Sequence, residues 1–394
     1  MTIAPEALVA ALARASRAAR PPRRWPRLPI TIGYDASRAL RPQRSGTERY
    51  ALHLLRALLA LDRRNRYVLY ADREPPVGLL PAAANAGWRV IRAPRLWTQG
   101  RLAADLALWT PDVLFVPAHA LPWWCPTRSV VTVHDLGFYY VPHAYRPFDR
   151  WYLHVSTYWS ARRATRVLAD SLATRDDLVR WYGVSSTKID VVHLGVDAAF
   201  RPQPAEARRV VAARYGLDRP YLLYVGALRR RKNLPRLLVA LARLRARPLL
   251  ALAGSAGPDA TVLRDLAMRL GLGDDVRILG YVPEDDLPAL YSGALAVVLP
   301  SLYEGFGLTA LEAMACGVPV VCARVGALPE VVGDAGLLLD PHDVPGWTAA
   351  LERISGDTPL RADLGARGRA RAAAFTWERC ALLTLHALLA AAGV

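Results

Sequence analysis

LAVVLPSLYEGFGLTALEAMACGVPVVCAR, residues 295–324, holds two apolar runs rich in β-branched residues on either side of a glycine-punctuated loop and an apolar helical stretch from 308 to 316. Neither run alternates polar with apolar, which is the pattern of parallel strands covered on both faces rather than of a half-exposed antiparallel edge. The unit is therefore strand, helix, parallel strand. The same alternation extends outward. PYLLYVGAL, PLLALAG and DVRILGY precede it and GLLLDP follows, with helical periodicity at 233–246, 259–271, 284–293 and 343–354. Before the proline-containing link DAAFRPQPAEA the pattern has already run once, through LPITIGYDAS, RYVLYAD, WRVIRA, DVLFVPA, RSVVTVHDL, TRVLADS and IDVVHLG. These spacings predict an α/β chain of two parallel-sheet, doubly wound halves joined near residue 200.

Within the opening stretch, Glu304 stands in the loop and Glu312 eight positions on, inside the apolar helix. Two readings of Glu312 stand side by side. Thr309 lies three residues before it, the spacing of a capping box, in which hydroxyl and carboxylate satisfy free amides of the helix's first turn. Alternatively, Glu304, Glu312 and the amides of Gly307, Leu308 and Thr309 line a pocket for a ligand with hydroxyls and a phosphate, since helix N-termini attract anions and carboxylates accept from hydroxyls. The capping reading leaves Glu304 without a role.

Ligands of doubly wound sheets bind outside the carboxyl ends of the strands. Three further strand-end loops carry suitable residues. RSGTERY follows the first strand and offers Gly46 at a helix entry; HDLGF presents His134 and Asp135; GALRRRKN presents Arg231 and Lys232 just before a helix. A strand-end histidine held by structural hydrogen bonds and a solvated arginine patch are the ordinary alternatives for the last two. Equipped loops on both halves imply a cleft between them.

The length of 394 residues, with 53% hydrophobic and 22% charged residues, calls for large buried cores and excludes global disorder. Fifty-one basic residues against 34 acidic leave +17, which suits nucleotide phosphates, an anionic membrane face or nucleic acid. Almost all of that excess is arginine. The only two lysines are Lys188 and Lys232, so a lysine at a strand end carries information. Cys125, Cys316, Cys322 and Cys380 form no C-x-x-C pair and read as reduced, buried thiols. No apolar run reaches eighteen residues, so no span is expected. EALVAALARASRAARPPRRW, near the start, reads either as a basic tail or as an arginine-rich amphipathic helix at a membrane surface.

With YVGALRRRKNL, TVHDLGF and VVHLGVDAAF, the E-x7-E stretch resembles the family-4 retaining glycosyltransferases of GT-B fold, in particular their bacterial mannosyltransferase-like branch; the similarity runs from about Ile30 to Pro341. That resemblance implies two Rossmann-like parallel-sheet domains facing each other across a cleft. It assigns 1–28 to the basic tail or helix, 29–199 to an acceptor-side domain, 200–375 to a nucleotide-sugar-binding domain, and 376–394 to a helix crossing back to the first domain, with the helices from about 343 joining in that brace. It further implies that Lys232 and Arg231 neutralise the donor diphosphate and that Glu304 binds hydroxyls of the transferred sugar. Phe306, Gly307 and Leu308 would lend amides, and Glu312 would hold the ribose. His134 would contact the sugar, and Gly46 would let the first domain close over the diphosphate. Many relatives carry an arginine after the glycine of the phosphate loop, where this chain has Ala227, which leaves Arg229, Arg230 or Arg231 to supply the second cationic contact, with Arg231 favoured.

The function so implied is metal-independent transfer of a hexose, mannose favoured, with retention, without any cofactor. The donor is a nucleotide diphosphate sugar (GDP-mannose favoured, a UDP-sugar as the alternative) and the acceptor a glycan or lipid-linked glycan. The expected location is cytoplasmic, with an anionic membrane surface as a further partner and no nucleic acid. Competing functions are another GT-B nucleotide-sugar reaction, which as a phosphorylase would need a pyridoxal-phosphate lysine, or a basic nucleic-acid or membrane-surface binding protein. The latter requires aromatic and basic residues interleaved on one exposed surface. The eleven tryptophans instead fall largely in helices and at strand ends; Trp123 and Trp124 are the exception, placed either for contact with an acceptor lipid or the interface or for packing.

Overall fold

A computed structural model of the chain describes residues 29–92, 97–118, 120–255 and 259–394. The basic segment 1–28 lies outside the described residues. The first sheet comprises β1 (Thr31–Asp35), β2 (Arg66–Ala71), β3 (Ala86–Val90), β4 (Val113–Val116), β5 (Arg128–Val133), β6 (Arg166–Ala169) and β7 (Ile189–Val191). The second comprises β8 (Tyr221–Val225), β9 (Leu249–Ala253), β10 (Val276–Gly280), β11 (Ala296–Leu299), β12 (Val320–Ala323) and β13 (Gly336–Leu339). All of these strands lie in the apolar runs read from the sequence except β3, which begins two residues before WRVIRA and ends at Val90. The helices that shape the cleft are α1 (Gly46–Leu61), α2 (Pro147–Arg163), α3 (Leu172–Tyr182), α4 (Leu234–Ala242), α5 (Leu308–Ala315) and α6 (Trp377–Ala392).

All neighbouring strands pair in parallel, in the orders β3-β2-β1-β4-β5-β6-β7 and β10-β9-β8-β11-β12-β13. The first six strands of the one and all six of the other follow the Rossmann order. Each sheet therefore has one point, β1/β4 and β8/β11, where the winding reverses and a crevice opens at the strand ends. Full burial of Ala296, Val297 and Val298 in β11 and of Val320, Val321 and Cys322 in β12 shows why these strands lack polar alternation.

α1 lays Leu54, Leu55, Leu58 and Leu59 into the first core, each completely buried and so contributing about 2 kcal/mol. α6 packs on α1 and β5, in the first domain, although it ends the chain. The wider brace is narrower than the resemblance implied: Val344–Gly356 packs on α4 and β13 and Thr358–Ala372 on α5, both within the second domain. Their apolar faces, with Trp347, Leu351 and Ile354 buried, match that domain's surface. The proline-containing link also gives way sooner than its composition suggested, to a helix at Ala205–Arg214.

Candidate active site

The second domain's crevice is built first. β8 ends in a loop whose short helical turn, Arg230–Lys232, is closed by Asn233, at φ 56°. The Asn233 amide donates to the carbonyls of Pro300 (3.0 Å) and Pro341 (2.9 Å), tying the loop after β8 to the loop after β11. That tie brings Lys232 Nζ to 2.6 Å from Glu304 Oε1, to which Ser301 also donates at 2.6 Å. Arg231 lies 3.7 Å from the other carboxylate oxygen and donates to the Tyr303 carbonyl at 3.2 Å. Burial alone would raise Glu304, but Lys232 and Arg231 outweigh it and hold its carboxyl below the usual range. The ammonium of Lys232 is pushed down, chiefly by burial, against the pull of Glu304. Of the neighbouring arginines, Arg229 is exposed and Arg230 faces Asp259 at 3.7 Å. Arg231 is thus the arginine that shares the crevice with the lysine.

Glu312 is not in a capping box. Gly307, at φ 98°, takes the N-cap position of α5, so Thr309 sits inside the helix and donates to the Val225 carbonyl at 3.3 Å. The box spacing occurs instead at Ser45 and Glu48, which cap α1. Glu312 is 1% exposed and is bound by Tyr291 at 2.9 Å and by Arg49 of α1, which reaches it from the first domain. Burial pushes the Glu312 carboxyl up against the opposing effect of Arg49 and Tyr291. Arg49 Nε also faces Glu284 at 3.2 Å, as Arg44 does at 3.5 Å. The carboxylate that the resemblance gives to ribose is here the anchor of an inter-domain ion cluster.

The first domain's contribution centres on His134 at the end of β5. Its Nδ1 lies 2.6 Å from Asp170, at the end of β6, and its Nε2 lies 3.2 Å from the Pro117 carbonyl. Both ring nitrogens face acceptors, an arrangement that favours the charged ring. Burial opposes that charge, yet Asp170 outweighs it and raises the ring's pKa. The His134 carbonyl meets the second domain at Gly305, where a Cβ would stand 2.2 Å from it. Gly305 is needed there for close approach. Its own carbonyl accepts from Ser171 at 2.8 Å. Gly46 lies exposed at the α1 entry with open space before it. Phe306 turns its ring into the core beside His193 and Phe375, so any ligand contact there falls to backbone. Gly307 and Leu308 form the entry of α5, which has no side-chain cap.

The structure thus brings Lys232, Arg231, Glu304 and the His134 loop to one place and Glu312 to a neighbouring one. Sequence reading missed Arg49, Asp170 and Glu330. The last accepts from the Leu172 amide at the start of α3 and from His193 at 2.6 Å, linking the domains on the far side of Gly305. Asp170 carried the same signal as His134, a polar residue ending an apolar strand. Arg49 carried none. Among the described residues, no group of three metal-ligating side chains and no helix able to cross a membrane is found.

Two Rossmann-like domains with equipped strand ends across a cleft define the GT-B class of glycosyltransferase. Sequence profiles agree: "Glycosyl transferases group 1" matches residues 212–371 and "Glycosyltransferase Family 4" residues 44–200. The chain is 40% identical over 266 residues to the O-antigen chain mannosyltransferase B of Escherichia coli, covering 66% of this chain and 70% of that one. It is 41% identical over 235 residues to the D-inositol 3-phosphate glycosyltransferase of Salinispora arenicola, 55% of this chain and about half (52%) of that protein. The sucrose-phosphate synthase of Thermosynechococcus elongatus superposes with a TM-score of 0.75 at 25% identity, over 91% of this chain and 98% of that one. The chain belongs to the group 1, family-4 glycosyltransferases and is an enzyme of that kind.

Proposed function

We propose that the protein transfers a hexose, with mannose favoured, from a nucleotide diphosphate sugar to a glycan or lipid-linked glycan, with retention of anomeric configuration. The observation that carries this reading is the crevice at the β8/β11 reversal, where Lys232 and Arg231 flank Glu304 opposite the His134 loop. Similarity to an O-antigen chain mannosyltransferase supports mannose, with GDP as its usual carrier; UDP is the alternative carrier.

Cleavage of the anomeric bond builds negative charge on the departing diphosphate. Lys232, Arg231 and the free amides entering α5 are placed to stabilise it in a closed cleft, the task a metal ion performs elsewhere. Glu304 keeps Lys232 oriented and offers its carboxylate to sugar hydroxyls. The imidazolium of His134, held by Asp170, presents positive charge toward the sugar's side of the cleft. The acceptor's proton passes to a leaving phosphate oxygen, so no protein nucleophile is needed. Glu312 binds the ribose hydroxyls once Arg49 yields them a share. Trp123 and Trp124, each 57% exposed, suit contact with a lipid-linked acceptor at the inner membrane face.

Calorimetric titration with GDP, UDP, ADP and dTDP tests this, in wild type and Lys232→Ala and with chelator present. One diphosphate binding preferentially, without metal, and losing affinity in the variant is the expected result. Equal weak binding of all four, unchanged in the variant, would leave only a basic binding protein.

A further inference from the structure

A cavity of about 670 Å³ opens on the first domain between the His134 loop and α2. Tyr139, His143, Tyr145, Arg150, Trp151 and His154 line it. It belongs to the size range of roughly 300–1,000 Å³ that small-molecule sites occupy. A second cavity, of about 360 Å³, is lined by leucines and prolines of the 75–83 loop and by Trp88, without a charged or imidazole side chain.

The larger cavity is tied to the proposed transfer centre by chain and by contact. Gly137 stands between them: a Cβ there would lie 3.2 Å from Tyr303, the neighbour of Glu304, and 3.3 Å from the Tyr145 hydroxyl. Tyr145, pushed up to about 12 by burial and Asp135, also feels the charges of Arg231 and Glu304. One wall is thus within electrostatic reach of the phosphate crevice. The far wall is built to stay in place. Tyr139 bonds His154 Nδ1 at 2.9 Å and stacks on Trp181 with centroids 4.7 Å apart. Trp151 remains 55% exposed at the rim.

Flat aromatic faces interleaved with two imidazoles, a guanidinium and phenol hydroxyls match a ligand with apolar C–H faces and a ring of hydroxyls. We infer that this cavity binds the acceptor as an oligosaccharide, stacking sugar rings on Trp151 and Tyr145 and directing its terminal hydroxyl toward the crevice of Lys232 and Glu304. This rests on the reading of the enzyme as a transferase to a glycan. A membrane surface would use the same aromatic and basic side chains from outside, but it has no use for a recess of about 670 Å³ between them.

The test titrates soluble manno-, gluco- and galacto-trisaccharides into the full-length protein, wild type, Trp151→Ala and the exposed Arg150→Gln, by saturation-transfer NMR and calorimetry. Nucleotide diphosphate binding is measured on the same samples. At least one trisaccharide should bind, and Trp151→Ala should weaken it by about fivefold or more while leaving nucleotide affinity unchanged. If both ligands are lost in Trp151→Ala through misfolding, Arg150→Gln carries the test, with a smaller loss confined to the trisaccharide. No trisaccharide binding, or equal binding in all three proteins, overturns the assignment. So does loss in either variant of binding to vesicles of anionic lipid with trisaccharide binding intact, which makes the face a membrane seat. Failure of the transferase reading shows separately, as absence of nucleotide preference in wild type.

Discussion

The two carboxylates of the E-x7-E stretch lie on one short segment and are neutralised in opposite ways. Glu304 finds Lys232, Ser301 and Arg231 inside its own domain. Glu312 finds Arg49 in the other. The first pairing survives whatever the domains do. The second exists only while they are together, and an ion pair buried at a joint resists its parting because separation takes the guanidinium away from Glu312, which is 1% exposed in the closed arrangement. One end of the motif is a preformed electrostatic device, the other a gauge of closure.

The largest effect that sharpens this contrast is expected from Lys232→Ala. Removing a cation aimed at developing charge should lower the transfer rate at saturating donor by about 10²- to 10³-fold. Loss of its charged hydrogen bond to Glu304, which keeps Ser301 and Arg231, should also cost about 2 kcal/mol in denaturant unfolding. Gly305→Ala comes next. It places a methyl against the His134 carbonyl, so transfer should drop about 100-fold while nucleotide binding, measured by calorimetry, persists. Retained transfer would show that the approach seen at Gly305 is not the working one.

Arg49→Met should destabilise by about 3 kcal/mol, and Arg49→Met with Glu312→Gln by much less, a coupling read from a double-mutant cycle. An additive cycle would break the comparison between the two glutamates. The smallest effect concerns pH. The folded pKa of His134 is raised above its ordinary value of 6.5, so its charge adds stability that is complete below that pH and is lost as pH rises through the folded value. Wild-type unfolding free energy should fall across that window, and the His134→Gln profile should be flatter.

Much of this was legible in the chain. Parallel strands buried on both faces announce themselves because no polar residue is tolerated on either, and each strand observed had been marked, β3 only in part, by its apolar run. Lys232 stood out as a lysine among arginines, and Glu304 because no local structure needed it. What stayed hidden was long-range. Arg49 sits in the first turn of an amphipathic helix, where an arginine looks solvated, and its partner is 263 residues away. The two capping-box spacings show the same limit. Ser45 and Glu48 form one, while Thr309 and Glu312 do not, because Gly307 starts the helix two residues early. Spacing states what is sterically available; the backbone decides whether it is used.

The chain passes between its domains twice, once after β7 and again before α6. The two passages lie against each other: Val196 donates to the Phe375 carbonyl at 3.1 Å, and Gly195 is packed so tightly that a Cβ would stand 2.2 Å from the Trp377 nitrogen. Two adjacent tethers behave as a pair of pins through one door. They leave swinging about a single axis as the soft motion and make twist and slide stiff, so that His134 and Lys232, on opposite leaves, return to the same registration each time the door shuts.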